Sequence, residues 1–424
     1  MADREGPPAL RSACDPFSLL AVGLFTAIAA VLALMPGTFP DFFIYRAGSE
    51  LALRGETPYD VQKIRGLVRV AFPDENPKEE SFVNNCGYFL PPQAVVLFAP
   101  LALLPFAVAK VAWALLHGLA AVAIVWLPSS LRRGDEPALA TNLISRAISF
   151  LLLLNCFTLA VVMVGQTPVV ATGCVAGGLW CFRREGRAWF WLGSALWSVA
   201  FVKPHVALPL VPLAWYLGGW KRAAALVAVV AALNLFGATV VGGSPLFLRD
   251  YAAYLSESHR AVVFNRAELN YEMTSWNRLL YTLTQRFAGE RFLIEQTAVT
   301  ALASFSVWFG LLAGRCAVAG VRPSAAWATA AAAVGAVLCP QVLGYEALVL
   351  LLGVPWVREL FADGPRAWGW AAVALLGLQT VPFPVFDKVG FDFHRPLGVA
   401  LFATLVLLGP TGSRPRATAP ARAP

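Results

Sequence analysis

Charge is what this chain has least of. Only 14% of its 424 residues are Asp, Glu, Lys or Arg, against about 25% in a soluble protein. That deficit excludes a solvated globular surface, and the apolar runs repeated along the chain place the protein in a lipid bilayer. No separate soluble domain is evident, because the longest polar stretches, Pro36–Tyr88 and Gly242–Arg291, are each flanked by apolar runs. Cysteine is sparse as well. Most of the seven (Cys14, Cys86, Cys156, Cys174, Cys181, Cys316 and Cys339) lie inside apolar runs, where a free thiol behaves as a small hydrophobe. There is no CxxC pair and no even-spaced framework, which excludes a disulfide scaffold and a structural metal knot. The net charge of +8 comes from cations scattered over short connections. That is the pattern of topology control, and it does not suggest a nucleic-acid surface.

What is present is apolar. Runs fall near 17–35, 92–127, 141–163, 168–182, 188–202, 205–218, 223–241, 293–314, 323–340, 344–361, 367–382 and 396–410. The first of these lacks a small-residue cleavage site and reads as a retained span, not a signal peptide. The expected fold is an all-α polytopic membrane protein with about twelve transmembrane helices. It forms a single domain over 1–410, with two long external loops near 36–91 and 242–292 and a disordered basic tail at 411–424. Lys and Arg set the orientation. Arg132 and Arg133, then Arg183, Arg184 and Arg187, then Lys221 and Arg222, then Arg315 and Arg322, then Arg358 and Arg366 occupy alternate connections. Placing these in the cytoplasm puts both termini there too, in a multi-pass protein of the plasma (inner) membrane. The run 92–127 is broken by Pro100 and Pro105. It reads as one crossing near 106–127 preceded by a short interfacial helix, with a tight two-span hairpin as the rival. No inverted repeat is visible, which weighs against a secondary transporter.

With this orientation, polar groups collect on the external face. Asp41 follows the first span directly, where a carboxylate is costly unless it meets water, a partner or a substrate. Tyr45 and Arg46 come next, then Tyr59 and Tyr88 in the same loop. Gln166, Lys203, His205, Tyr345 and Glu346 stand at span ends, and Trp276, Asn277 and Arg278 lie in the second long loop. Taken singly, Asp41 reads as an interface residue, Gln166 as a turn residue and His117 as a satisfied core histidine. Tyr251, Tyr254 and Tyr281 read as an interfacial belt. Lys203 is more specific. It ends an apolar run, a helix-breaking proline follows, and its own segment has no acid to pair with. Its partner is therefore a distant carboxylate or a bound phosphate.

Together the motifs form a pattern. DFFIYRAGSELALRGETPYD, with Asp41, Tyr45, Ala47, Gly55, Pro58 and Tyr59, resembles the first-loop signature of glycosyltransferase family 87. YFLPPQAVVLFAPLALLPFAVAKVAW, with Tyr88, Pro91, Pro92, Pro100, Pro105 and Trp113, resembles the family's next block. VGQTPVV and FVKPHVALPL supply Gly165, Gln166, Lys203 and Pro204. The resemblance spans roughly residues 15 to 350. It departs from the pattern at CPQVLGYEALVLL, where some members carry a histidine and this chain has Tyr345 and Glu346. Glu346 is left either to replace that histidine or to pair with Lys203.

The resemblance implies a GT-C-type fold and a polyprenyl-phosphate sugar donor, mannose first, with a lipid or glycan acceptor and an extracytoplasmic active site. It implies Asp41 as general base, Lys203 with Arg46 or Arg278 at the donor phosphate, and Tyr45, Tyr59, Tyr88, Gln166, His205, Trp276, Asn277, Tyr345 and Glu346 around the substrates. No cofactor and no metal is expected, since the sugar arrives on a lipid phosphate and no DxD motif stands on an external loop. A lipid-linked saccharide flippase is the main alternative and a polysaccharide ligase the second. A flippase needs charges deep in several spans, and a ligase usually has its large external loop late in the chain. Here charges gather at one face and the first large loop follows the first span.

Overall fold

The computed structural model describes residues 16–73, 86–130, 146, 153, 156–244, 246–249, 251–254, 274–289, 298–320, 322–339, 344–380 and 393–411. The expected tail beyond Thr411 lies outside them. Every regular element among the described residues is helical. Four stretches are long and apolar enough to cross a bilayer: Pro16–Leu34, Phe106–Leu127, Pro204–Gly242 and Val299–Ala319. Other apolar helices run 10–17 residues, shorter than the roughly 20 a straight crossing needs.

Helix α1 (Pro16–Leu34) is stopped by Pro36 and by Gly37 at φ 71°. Thr38 closes its end, the hydroxyl donating to the carbonyls of Leu32 (2.7 Å) and Met35 (2.9 Å). The chain then reverses through Phe39, held at φ 67°, ψ 39°, and Pro40 opens α2 (Pro40–Leu53). Proline suits that first position because its missing N–H has no helical acceptor to lose. Helix α3 (Val61–Ala71) is capped by Asp60, which accepts from the amides of Gln62 and Lys63. Helix α4 (Pro92–Ala102) is 11 residues long, about 16 Å, and cannot cross on its own. Helix α5 (Phe106–Ser130) is long enough to do so, so 92–127 holds one full-length helix preceded by a short one.

Helices α6 (Cys156–Val164) and α7 (Pro168–Phe182) meet at a bend of 111°. Gly165 makes the bend at φ 77°. A β-carbon there would stand 2.6 Å from Phe42 Cβ, so α2 packs directly into the elbow. Helix α7 lies against α5 through Gly173, where a β-carbon would come within 2.4 Å of Ala120. Small residues let membrane helices approach this closely. Helix α8 (Arg187–Ala200) follows, with buried Trp197 donating to the Val175 carbonyl at 2.8 Å. The one-turn α9 (Pro204–Ala207) then leads into α10 (Leu210–Gly242). Gly219, at φ 72° and ψ −176°, breaks α10 into two arms.

The remaining helices are α11 (Trp276–Ala288), α12 (Ala298–Ala319), α13 (Ala325–Val337), a 3₁₀ segment (Gly344–Gly353) continuing as α14 (Val354–Asp363), α15 (Arg366–Leu378) and α16 (His394–Leu408). Their ends sort into two groups. At one end Tyr216 donates to the Pro323 carbonyl, Arg222 reaches the Phe182 carbonyl, and Ser324 bonds Glu359 and the Thr411 carbonyl. Arg315 closes the same end, donating to the carbonyls of Val406, Leu407 and Gly409 at the end of α16. The basic connections at 183–187, 221–222, 315–322 and 358–366 therefore share this end, while Arg132 and Arg133 lie outside the described residues. Asp41, Gln166, Lys203 and Glu346 meet at the other.

Candidate active site

Asp41 occupies the first turn of α2, where the helix dipole favours a carboxylate. It is half-buried, and Gln166 Nε2 donates to its Oδ2. Loss of solvation pushes its carboxyl up to about 6. The Gln166 hydrogen bond and the nearby charge of Lys203 offset only part of that rise. Tyr45, one turn along the same face of α2, is buried and donates its hydroxyl to Gln166 Oε1 at 2.8 Å. Burial, with Asp41, Glu346 and Tyr88 nearby, raises this phenol well above its ordinary value. Tyr45 therefore stays a neutral donor near pH 7. An ionised Asp41 can only accept, so the amide nitrogen of Gln166 faces it and the amide oxygen is left to accept from the phenol.

Gln166 is held in turn by its backbone. The turn Gly165–Thr167 joins α6 to α7, and Gln166 N–H donates to the Val161 carbonyl at 3.0 Å. Trp113 Nε1 donates to the Gly165 carbonyl at 3.0 Å, and His117 Nε2 lies 3.1 Å from the Gln166 carbonyl.

Lys203 caps the start of α9 and is buried. Its ammonium donates to Glu346 Oε1 at 2.7 Å. His205 Nε2 lies 3.1 Å from Glu346 Oε2, an ion pair when the imidazole is protonated. Glu346 thus gathers both side chains of the Lys203–Pro204–His205 turn. Of the two roles open to it from sequence, pairing with Lys203 is the one the geometry contains. Tyr345 precedes it in the same 3₁₀ segment.

An aromatic wall borders this set. Tyr88 is fully buried against Gly48, where a β-carbon would stand 2.2 Å from its ring. Tyr59 donates to the Leu90 carbonyl at 2.9 Å, and its ring meets those of Tyr88, Phe247, Tyr251 and Tyr254 at 5.2–5.6 Å. Tyr251 donates to the Phe89 carbonyl at 3.1 Å. Tyr251 and Tyr254, which read as belt residues in the sequence, instead tie the second long loop to the first.

The other candidates have partners of their own. Arg46 donates to Glu50 at 3.0 Å and to the carbonyls of Ala102 (3.3 Å) and Leu104 (2.9 Å). It closes the C-terminal end of α4, on the side of α2 away from Asp41. Trp276 donates to Ser304 of α12 at 3.1 Å. Asn277 and Arg278 are buried on α11, with Arg278 5.4 Å from the Tyr281 ring centre. Among the described residues no three His, Cys, Asp or Glu side chains come together as metal ligands. Sequence reasoning passed over Lys110 and read Trp113 only as a motif residue and His117 only as core. Their spacing of three and then four residues on one helix was the available signal.

A carboxylate with a raised proton affinity, beside a buried cation and at one end of an apolar bundle, is suited to taking a proton from a hydroxyl while negative charge departs close by. No curated protein matches the chain. Residues 88–343 match the profile of glycosyltransferase family 87, well over half of the sequence. The match takes in Tyr88, Gln166, Lys203, His205 and the Trp276–Arg278 block, while Asp41 lies well before its start and Glu346 just past its end. The chain therefore belongs to glycosyltransferase family 87, a family of sugar-transferring enzymes.

Proposed function

We propose that this enzyme transfers a sugar, mannose in the first instance, from a polyprenyl-phosphate donor to an acceptor hydroxyl with inversion at the anomeric carbon. One observation carries the reading. The Asp41 carboxylate is oriented by Gln166 and Tyr45 and lies within the electrostatic reach of buried Lys203. The family resemblance supplies the donor class.

In this reaction the acceptor oxygen attacks the anomeric carbon. Its proton passes to Asp41, and the bond from that carbon to the phosphate oxygen breaks, the electron pair leaving with the polyprenyl phosphate. A base whose pKa lies near the working pH is the efficient choice. Lys203 stabilises the departing phosphate, exchanging part of its bond to Glu346 for the new anion, and Arg278 is the second candidate cation. Arg46 already has carboxylate and carbonyl partners and is the weaker one. A single base with a β-linked donor yields an α-linkage without a covalent enzyme intermediate.

The clustering of basic connections at the end opposite Asp41 supports a GT-C-type fold of about twelve crossings in the plasma membrane. Both termini would be cytoplasmic and the reaction would face the extracytoplasmic side. The test is incubation of purified protein with radiolabelled polyprenyl-phosphate mannose and mixed membrane lipids. Label in a new glycoside, lost in Asp41→Asn, is expected. Label that crosses a vesicle bilayer without forming a glycoside would replace this reading with transport.

A further inference from the structure

We infer that one face of α5, formed by Lys110, Trp113 and His117, positions the base by clamping the two chain reversals that deliver Asp41 and Gln166 to each other. This rests on the transferase reading and extends it to residues that touch no substrate.

The three side chains lie at i, i+3 and i+7 and so share a helix face. Lys110 Nζ donates to the Met35 carbonyl at 2.7 Å and contacts the Thr38 hydroxyl at 3.2 Å. It also sits 5.8 and 5.6 Å from the ring centres of Phe39 and Phe106. It therefore grips the reversal between α1 and α2, two residues before Asp41. Phe39 in that reversal is, among the described residues, the one non-glycine residue with positive φ. Such a conformation persists only where the surroundings hold it. One turn further along, Trp113 bonds the Gly165 carbonyl while its ring stacks on Phe42 at 5.3 Å and 9°. Phe42 is the residue after Asp41. His117 then meets the carbonyl of Gln166 itself, and its ring stands edge-on to Trp113 at 5.1 Å. The two reversals also bond each other directly, Phe39 N–H donating to the Met163 carbonyl at 2.7 Å. Lys110 and His117 are both buried in an apolar helix, where polar side chains are costly and mark functional positions. Packing alone would be served as well by leucine.

A positioning role differs from a packing role in what it moves. The groups facing Asp41 are Gln166 from the α6–α7 turn, Tyr45 of its own helix, Lys203 before α9, and Cys86 from the segment before α4, with Tyr88 behind Tyr45. Glu346 stands behind Lys203. Loosening the turn withdraws the Gln166 N–H from the carboxylate. The carboxylate then binds its proton more tightly, and the acid limb of activity moves to higher pH.

The test measures kcat, donor KM, the pH–rate profile and thermal stability of the purified full-length protein with polyprenyl-phosphate mannose. His117→Leu is expected to lower kcat by about tenfold or more, the scale of small misplacements at a reacting centre. Donor KM should hold within about twofold, with the acid limb shifted upward. His117→Gln, whose amide can offer an N–H to the Gln166 carbonyl, should recover most of the loss. If His117→Leu does not fold, Trp113→Phe carries the test, because it keeps the ring on Phe42 and removes only the N–H to Gly165. Unchanged kcat and an unmoved limb in these variants would overturn the proposal, as would a kcat loss that follows stability and is no smaller in His117→Gln. Asp41→Asn measured alongside separates the failures. Wild-type turnover there removes the base and the proposal together, whereas an inactive Asp41→Asn beside unaltered α5 variants removes the positioning role alone.

Discussion

The Lys203 ammonium bonds Glu346 across 2.7 Å while its charge still lowers the proton affinity of Asp41. One buried cation therefore serves two carboxylates on different segments, and it is the joint between the Asp41–Gln166 half of the site and the 3₁₀ segment that carries Glu346.

Lys203→Met should leave Glu346 buried without that ammonium. Breaking a buried pair from one side typically costs about 3–5 kcal/mol, so a drop in unfolding temperature at pH 7 is expected. Lys203→Met with Glu346→Gln should recover part of it. Activity should separate from stability, since the double variant should regain fold but not donor saturation. Restored donor saturation in the double variant would remove Lys203 from the phosphate role.

Asp41→Asn should lower turnover by about 10²–10⁴-fold, the usual contribution of a positioned base. It should also stabilise the fold in one pH window. The carboxyl rises from an ordinary 3.8 to about 6 in the folded protein, so folding favours its protonated form. The stability this confers is full below about pH 4 and is lost as pH rises through 6. Above that the ionised group costs on the order of 3 kcal/mol. Asn removes this cost, so the variant should melt higher than the parent at pH 8 and alike at pH 4. A melting difference that does not vary with pH would contradict the burial argument. By the same titration, wild-type turnover should rise with pH through about 6.

Arg46→Met tests a division of labour between two arginines. Arg46 serves Glu50 and the last carbonyls of α4, so its loss should cost about 1–3 kcal/mol of stability through unmet carbonyls and leave donor KM unchanged. Arg278→Met should raise donor KM. The reverse outcome in saturation kinetics would return Arg46 to the phosphate.

The sequence carried the site further than its supports. Asp41 stands out because a carboxylate at the lip of an apolar run needs a reason, and Lys203 because its own segment gives it no anion. Glu346 was legible as a departure from the family pattern with Lys203 as one possible partner, and packing brings the two together across 143 residues of sequence. The single full-length helix in 92–127 was readable from two prolines. The role of Arg46 was not readable, because a cation beside a suspected base looks the same in sequence whichever way its helix face turns. The α5 stripe was hidden for a different reason. An apolar run with one lysine and one histidine reads as a span with tolerated polar residues, and only the fold shows both reaching the same pair of reversals. Length also misleads in this chain. Helix α7, of 15 residues, is short because the Gly165–Thr167 turn cuts into it at the site end.

Gly165→Ala tests whether the bend itself makes the site. The residue sits at φ 77°, a region that costs an alanine about 1 kcal/mol or more. The added carbon would also stand 2.6 Å from Phe42 Cβ and 3.2 Å from the Phe42 amide nitrogen. The clash falls on the residue next to Asp41 and the strain on the residue next to Gln166, so relief must draw the two functional side chains apart. Loss of turnover beyond what the fall in melting temperature accounts for is expected. Gly37→Ala serves as the control. That glycine has the same sense of φ (71°) but nothing within 4 Å of an added carbon, so it should show the backbone strain with a smaller loss of turnover. Equal losses in the two variants would mean that strain alone, and not the contact between the elbow and α2, governs activity.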